Sequence, residues 1–206
     1  MTKQEIFEQI EEHLQNDQKP SEFLNTLLQN EVFMMEPFRP LYLLSKTEQS
    51  PKYHPEGNAW VHTLMVVDEA AKVKGKSSDP YCFMWASFLH DIGKPETTAI
   101  RHGRITSYGH DEAGQKTARE FLTVFMADRK KIDLICALVH YHMHILYVTK
   151  DLPFAKVDQM LKESELEDVA LLGWCDRMGR TNADEEEENR TIAQFLKKVR
   201  SKFKKS

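Results

Sequence analysis

The chain has 206 residues and a formal net charge of −4. This length suffices to bury a sizeable core in one domain, and the small net charge excludes a surface that attracts nucleic acid or anionic membrane as a whole. No apolar run approaches the roughly 18 residues of a membrane-spanning helix, and residues 1–5 are polar rather than signal-like. The sequence therefore predicts a soluble, cytoplasmic protein with no membrane association.

Glycine and proline are sparse, at 8 residues each. Few segments alternate β-branched with polar residues, so the composition favours an all-α fold. The three cysteines, Cys82, Cys136 and Cys175, lie in predicted core helices without the Cys-x-x-Cys spacing of a zinc or redox site. We expect them to be reduced core residues.

The first 50 residues predict a helical scaffold. Apolar residues recur at helical spacing over residues 2–16 and again after Ser21, which can cap a second helix. The first clear loop spans residues 45–57. We therefore expect a single domain in three parts, which are a helical N-terminal part (1–50), a core that contains the candidate metal site (51–182) and a C-terminal helix (183–206).

A long apolar helix is predicted from Asn58, and it carries His62 within its first two turns. A buried histidine in such a helix is commonly hydrogen-bonded within the core, but histidine is also the most common metal-binding side chain. The helix alone leaves both interpretations open.

His90 and Asp91 end a second apolar helix, predicted over residues 81–89. A carboxylate removed from water is costly unless a cation or hydrogen bonds compensate it. A divalent metal would suit both ligand types. Alternatively, the two side chains form a hydrogen-bonded pair at a helix end that Gly93 caps and Pro95 stops.

Residues 95–109 are predicted to be a loop, and His110 follows just before another helix. A later helix carries an apolar stripe that ends at His142, whereas His140 and His144 fall on the opposite side, and His140 is predicted to be a solvated or rim group. The helical spacing thus favours His142 over its two neighbours as a site residue.

Asp176 lies on the apolar face of a helix predicted over residues 165–176, where an unpaired carboxylate is costly. A salt bridge to Arg180, one turn later on the same face, would satisfy it without a metal. The last predicted helix begins with acidic residues 184–188 and ends in a basic tail, which fits the helix dipole. Contact between this tail and RNA is a weaker alternative interpretation.

Three helices thus place unexpected polar side chains in apolar surroundings, in the order His62, His90-Asp91 and Asp176. A single shared metal would compensate all of them. This order, with Gly-Lys directly after the His-Asp pair, resembles the HD superfamily of metal-dependent phosphohydrolases. The resemblance implies a helical bundle with a metal site between its central helices. It also implies that these four residues bind a divalent ion, which could be Mn, Fe, Co, Ni, Zn or Mg.

The resemblance is closest to the HD domain of bacterial tRNA nucleotidyltransferases. It is carried by the segments 54–56, 62–65, 89–94 and 109–114, within a similarity that covers roughly residues 20–180. The sequence lacks the Gly-Ser and Asp-x-Asp pattern of the nucleotidyltransferase head. We therefore expect a stand-alone hydrolytic domain that does not add CCA.

In dinuclear members of the superfamily, the positions that resemble His110 and His142 hold a second metal beside a bridging aspartate, here Asp91. In mononuclear members the same positions line the phosphate pocket. The dinuclear pattern of adjacent histidines is replaced in this chain by Tyr141-His142. We therefore expect one firmly held metal and a weaker second site.

The expected function is hydrolysis of a phosphomonoester or phosphodiester, in a nucleotide or a related small substrate, by attack of metal-bound water. The expected catalytic residues are Asp91, which orients or deprotonates the water, and Lys94 and His110, which stabilise the phosphate or protonate the leaving oxygen. Arg104 and Arg177 are weaker candidates for substrate contacts. The alternative is a non-catalytic HD module that binds a nucleotide, RNA or a protein partner.

Overall fold

The computed structural model describes residues 1–203 and contains a helical bundle with one small hairpin, which confirms the predicted all-α class. Lys204 and Lys205 of the basic tail lie outside the described residues. The α-helices are α1 (Lys3–Asn16), α2 (Pro20–Thr26), α3 (Arg39–Leu44), α4 (Ala59–Val73), α5 (Pro80–Leu89), α6 (Lys94–Thr97), α7 (His110–Phe125), α8 (Arg129–Tyr141), α9 (His144–Thr149), α10 (Val157–Glu163), α11 (Leu166–Met178) and α12 (Glu185–Phe203). Short 3-10 helices cover Leu27–Gln29, Glu31–Met34 and Lys74–Lys76, and strands β1 (Ala99–Arg101) and β2 (Arg104–Thr106) pair in antiparallel orientation.

The hairpin lies within residues 95–109, where the sequence predicted only a loop. Its two turn residues, His102 and Gly103, have φ angles of 50° and 73°, the positive values that a two-residue hairpin turn requires. Each strand has only three residues, too few for an alternating pattern to be recognised.

Helix α1 is anchored to the core by aromatic packing. Thr2 and Glu5 form a capping box that begins the helix. Phe7, on the predicted apolar stripe, stacks on Trp85 with 4.8 Å between ring centroids and on Phe125 with 4.5 Å. Such aromatic pairs add about 0.5–1.5 kcal/mol beyond burial, so α1 contributes to the same core that surrounds α5.

Helix α5 lies at the centre of the bundle. Asp79 caps it by accepting a hydrogen bond from the Cys82 amide at 2.9 Å, and Pro80 occupies its first turn. All residues from Cys82 to Leu89 are buried, and the helix contacts α1, α4, α8 and α11. Because these helices enclose α5, the His90-Asp91 pair that follows it is held in the interior.

The three cysteines are free and buried, as the sequence predicted. Burial raises the pKa of the Cys82 thiol to about 12 and that of the Cys136 thiol to about 11. Burial also raises the pKa of Cys175. All three therefore remain protonated thiols at neutral pH and behave as small core residues.

Helix α12 begins with the acidic residues 185–188 and buries Phe195 and Val199. Lys198 Nζ donates to the carbonyl oxygen of Val148 at 3.2 Å, so α12 covers the C-terminal end of α9. Across residues 1–203, every helix is too short or too polar to serve as a transmembrane span. The cytoplasmic location stays a prediction.

Gly93 allows α7 to approach the end of α5. A Cβ atom at this position would lie 2.2 Å from the His110 carbonyl oxygen and 2.4 Å from the Gly114 amide nitrogen. Both atoms belong to the backbone and cannot rotate away. Only glycine therefore lets the start of α7 lie beside the His90-Asp91 turn.

We expect Gly93→Ala to lower the free energy of unfolding by about 1–3 kcal/mol, because the added methyl group would overlap backbone atoms of α7. Gly75→Ala is the matched control, since a Cβ atom there meets nothing within 4 Å. Urea unfolding followed by circular dichroism measures both variants. A Gly93 variant as stable as the wild type would contradict the close approach of α7.

Candidate metal centre

Six side chains that the sequence singled out converge between α4, α5, α7, α8 and α11. Each of these residues is at most 8% exposed. The six are His62 in α4, His90 and Asp91 directly after α5, His110 at the start of α7, His142 directly after α8, and Asp176 in α11. Histidine and carboxylate side chains buried together form a donor set that suits divalent transition metals.

His62 and Asp176 join the first and last of these helices. His62 Nε2 lies 2.9 Å from Asp176 Oδ1 and 3.9 Å from Asp91 Oδ2. Burial alone would lower the pKa of His62, but hydrogen bonds to Asp176 and Glu56 raise it. His62 thus lies between two carboxylates, where either a proton on the ring or a metal cation would supply compensating positive charge.

Arg180 is a second partner of Asp176, as the sequence allowed. Arg180 Nη2 lies 3.6 Å from Asp176 Oδ1, a longer contact than the 2.9 Å to His62 Nε2. Burial alone would raise the pKa of Asp176, but Arg180 and His62 hold it well below its usual value. Asp176 is thus ionised, and its carboxylate contacts His62 in the interior of the bundle as well as Arg180.

The four histidines share one orientation. In each ring, Nδ1 faces a backbone carbonyl oxygen, which places the proton of the neutral ring on Nδ1 and leaves Nε2 free to bind a metal. The pairs are His62 with Gly179 at 3.1 Å, His90 with Ser87 at 2.8 Å, His110 with Ser107 at 2.8 Å and His142 with Val139 at 2.6 Å.

The His90-Asp91 pair contains a buried atom without a hydrogen bond. His90 Nε2 is fully buried and has no hydrogen-bond partner, although Asp91 Oδ2 lies 3.3 Å away. Asp91 Oδ2 forms an ion pair with Lys94 Nζ at 2.6 Å. Buried polar atoms without partners are rare in folded proteins, and a cation bound at His90 and Asp91 would give His90 Nε2 the partner that it lacks.

His110 and His142 face each other across a short gap. Their Nε2 atoms are 3.1 Å apart. When each neutral ring carries its proton on Nδ1, the lone pairs on the two Nε2 atoms point at each other. Burial lowers the pKa of His110, and burial together with the charge of His110 lowers the pKa of His142 to about 3. Because neither ring is readily protonated, a shared metal cation is a better partner for these lone pairs than a proton.

The donor atoms therefore fit one or two divalent cations. His62, His90 and Asp91 each offer a donor atom within 4.8 Å of the others, and Asp91, His110 and His142 do the same. Asp91 belongs to both groups, so it would be a candidate ligand for either ion.

The candidate centre opens into a cavity of about 560 Å³. Its walls include Asp91, His110, His142 and Asp176, together with cationic and apolar side chains. The cations are Lys94, Lys150, Arg177 and Arg180, and the apolar residues include Tyr53, Ile105, Tyr108, Met143, Ile145 and Leu146. The cavity can thus accept an anion beside the buried centre and an apolar group farther out.

A family model described as the HD domain matches residues 59–193, which is more than half of the chain. The chain belongs to the HD domain family. The expected resemblance is confirmed, and the six converging residues lie within the matched region.

Curated relatives of this HD domain chain are named multifunctional CCA proteins. One from Halorhodospira halophila is 41% identical over 96 residues, which covers 47% of this chain and 22% of the relative. One from Actinobacillus pleuropneumoniae serotype 5b is 32% identical over 98 residues, covering 47% and 23%. One from Mannheimia succiniciproducens is 24% identical over 195 residues, covering 90% and 45%. The chain spans less than half the length of these relatives.

The two weaker candidates for substrate contacts in the HD domain chain, Arg104 and Arg177, lie in different places. Arg104 is exposed in the hairpin and is absent from the cavity wall, whereas Arg177 lies on the wall but is paired with Glu188. Arg180, which the sequence suggested only as a partner of Asp176, also lies on the wall, and its Nε is buried without a partner. Because Arg180 lies one helical turn after Asp176, the sequence could have indicated that Arg180 lies close to the candidate centre.

His140 is not solvated, because it is only 5% exposed. His144, which was also expected on the far side of the helix, is only 1% exposed. His140 lies in α8, which ends at Tyr141, whereas His144 begins α9. The regular spacing of a single helix therefore does not predict the direction of both side chains. His144 Nε2 accepts a hydrogen bond from the Lys156 amide at 3.1 Å, and His140 lies on a helix that α10 also packs against.

We expect His90→Ala to weaken binding of Mn²⁺ or Co²⁺ by at least about 100-fold, because the loss of a direct ligand exceeds the 10- to 100-fold effect of outer partners. His144→Ala is the matched control, since this buried histidine is outside both donor groups. Isothermal titration calorimetry of chelator-treated protein measures both affinities. Equal metal affinity of wild type and His90→Ala would exclude His90 as a ligand.

Proposed function

We propose that the chain is a metal-dependent phosphohydrolase that cleaves a phosphomonoester or phosphodiester in a nucleotide or a related small substrate. The observation that carries the proposal is the buried imidazole and carboxylate centre at one end of a cavity with cationic walls. Membership in the HD domain family supports a metal-dependent hydrolase. The names of the curated relatives support a substrate related to nucleotides or RNA.

Two overlapping sets of side chains would hold the metal. The first set is His62, His90, Asp91 and Asp176, and the second, which we propose is weaker, is Asp91, His110 and His142. When bound, a divalent cation supplies Lewis acidity, which activates water and offsets charge on the phosphoryl group. Imidazole and carboxylate ligands are compatible with Mn, Fe, Co, Ni, Zn or Mg.

Asp91 and Lys94 have complementary proposed roles. Burial alone would raise the pKa of Asp91, but His90 and Lys94 hold it well below its usual value, so the carboxylate is ionised and can orient the attacking water. With so low a pKa, it can accept a proton only from water that a bound cation has made more acidic. Lys94 Nζ donates to Gln49 Oε1 at 2.6 Å, which fixes the ammonium group on the cavity wall. A fixed positive charge beside the centre stabilises negative charge that develops on phosphate.

His110 acts at the same end of the cavity. Its Nε2 lies 3.5 Å from Asp91 Oδ1, and the Ser107 carbonyl oxygen fixes the ring through Nδ1. If one metal were bound, His110 and His142 would line the phosphate pocket, and His110 could stabilise the phosphate or, in its protonated form, pass a proton to the leaving oxygen. If two metals were bound, both rings would serve as ligands.

We expect Asp91→Asn to lower kcat for a simple phosphate ester by about 10²–10⁴-fold, the range for loss of a general base. Glu112→Gln is the control, because this carboxylate in the first turn of α7 forms a surface ion pair with Lys156 at 2.8 Å. Phosphate release in the presence of added divalent metals measures both. Turnover by Asp91→Asn at the wild-type rate would refute the role of Asp91.

The apolar part of the cavity favours a nucleotide over a smaller phosphate ester. Tyr53 and Tyr108 line this cavity and are 58% and 72% exposed, so their rings are accessible to a ligand. Ile105 and Leu146 extend the apolar wall. Exposed aromatic side chains beside a phosphate site are typical partners for the flat face of a nucleobase.

We expect Tyr53→Ala and Tyr108→Ala each to raise KM for a nucleoside monophosphate about tenfold, since stacking contributes about 1–3 kcal/mol per base. The KM for a small aliphatic phosphate should stay the same. Phe154→Ala is the control, because Phe154 is 60% exposed but is not among the residues that line the cavity. Equal effects on both substrates would contradict base recognition by the tyrosines.

The alternative function is a non-catalytic HD module that binds a nucleotide, RNA or a protein partner. The complete set of candidate ligands argues for an enzyme, because a binding module has no need of a centre that activates water. A panel of nucleotides, cyclic phosphodiesters and aliphatic phosphates separates the two. Tight metal binding without hydrolysis of any member would favour the binding module.

A further inference from the structure

A buried carboxylate from outside the predicted donor set contacts the metal centre. Glu56 lies in the loop before α4, and its side chain is only 1% exposed. Its Oε1 lies 2.9 Å from His54 Nδ1 and 3.0 Å from His62 Nδ1. One oxygen atom therefore contacts two imidazole rings, one of which belongs to a candidate metal ligand.

Two imidazole rings contact the carboxylate of Glu56. Within residues 1–203, its ion-pair contacts are to His54 and His62, and its Oε2 is buried without a partner. A loop carboxylate that is buried against two imidazoles is costly to place by chance, which indicates a role connected with those rings.

The geometry assigns different tasks to the two nitrogens of His62. Nδ1 lies against Glu56 Oε1 and, at 3.1 Å, against the Gly179 carbonyl oxygen. Nε2 is directed at Asp176, 2.9 Å away. The Gly179 carbonyl oxygen accepts the Nδ1 proton, and the carboxylate of Glu56 beside Nδ1 favours the proton on that atom, so Nε2 retains its lone pair whenever the proton between it and Asp176 leaves.

We propose that Glu56 is a positioning residue of the metal centre, whose carboxylate holds His62 so that Nε2 faces the bound cation. This inference rests on the metal-dependent function proposed above. A carboxylate behind a metal-binding imidazole fixes the ring and increases its basicity, and the removal of such a partner typically costs about 10–100-fold in metal affinity.

The same contact connects the cavity wall to the metal ligand. Tyr53 and His54 line the cavity and belong to the loop that Glu56 anchors. Gln49, earlier in this loop, accepts from Lys94 Nζ at 2.6 Å. The loop is therefore attached to the centre at two points, and Glu56 provides the attachment to His62.

The test is a titration of chelator-treated protein with Co²⁺ alone, followed by calorimetry and by the visible absorption of the bound ion. We expect Glu56→Gln, which keeps the side-chain size, to weaken Co²⁺ binding about 10–100-fold and to change the absorption bands. Glu56→Asp, which keeps the charge, should recover part of the affinity. Circular dichroism and thermal unfolding establish that each variant is folded.

Asp68→Asn is the matched control. Asp68 lies in α4, the helix of His62, and accepts hydrogen bonds from the Ser21 amide at 3.1 Å and the Ser21 hydroxyl at 2.6 Å. This variant loses a hydrogen-bonded carboxylate from the same helix without a contact to the centre. It should bind Co²⁺ with the wild-type affinity and spectrum.

Two results would overturn the proposed role of Glu56 while leaving the proposed function intact. The first is a Glu56→Gln variant with the affinity and spectrum of the wild type. The second is the loss of one Co²⁺ per chain with unchanged affinity at the remaining sites, because Glu56 would then be a metal ligand with His54 and His62. Failure of the wild type to bind Co²⁺ would instead refute the metal-dependent function, and this inference with it.

Discussion

The burial of Asp91 among imidazole rings is the constraint on which the rest of the structure depends. The residue is 1% exposed and directly follows a helix whose last eight residues are buried. A charge in such a place needs a compensating cation. Lys94 supplies positive charge in the polypeptide itself. The opposed Nε2 atoms of His110 and His142, however, are better satisfied by metal ions.

The surrounding bundle makes this arrangement possible by close packing. Helix α5 is enclosed by its neighbours and carries the His90-Asp91 pair to the interior. Gly93 then allows backbone contact with α7, which places His110 within 3.5 Å of Asp91. The remaining candidate ligands are His62 in α4, His142 directly after α8 and Asp176 in α11. Helices α4 and α11 also pack against each other. Donor atoms from distant parts of the sequence are thus fixed by helix packing rather than by flexible loops.

Helical periodicity predicted much of this arrangement. The apolar surroundings of His62, His90-Asp91 and Asp176 marked them as unusual, and the stripe in α8 selected His142. Features set by tertiary contacts were not predictable in this way. His140 is buried because other elements pack against its helix, and Glu56 lies in a loop without any periodic pattern. Its role depends on a contact with His62 that only the folded chain reveals.

The most direct test of the central claim is a crystal structure of the protein soaked with Mn²⁺ or Co²⁺, with the ions located by anomalous scattering. The account predicts an anomalous peak bound by His62, His90, Asp91 and Asp176, with any weaker second peak at Asp91, His110 and His142. A crystal without a peak at these residues, in which His62 still donates to Asp176 and Arg180 still contacts it, would contradict the account.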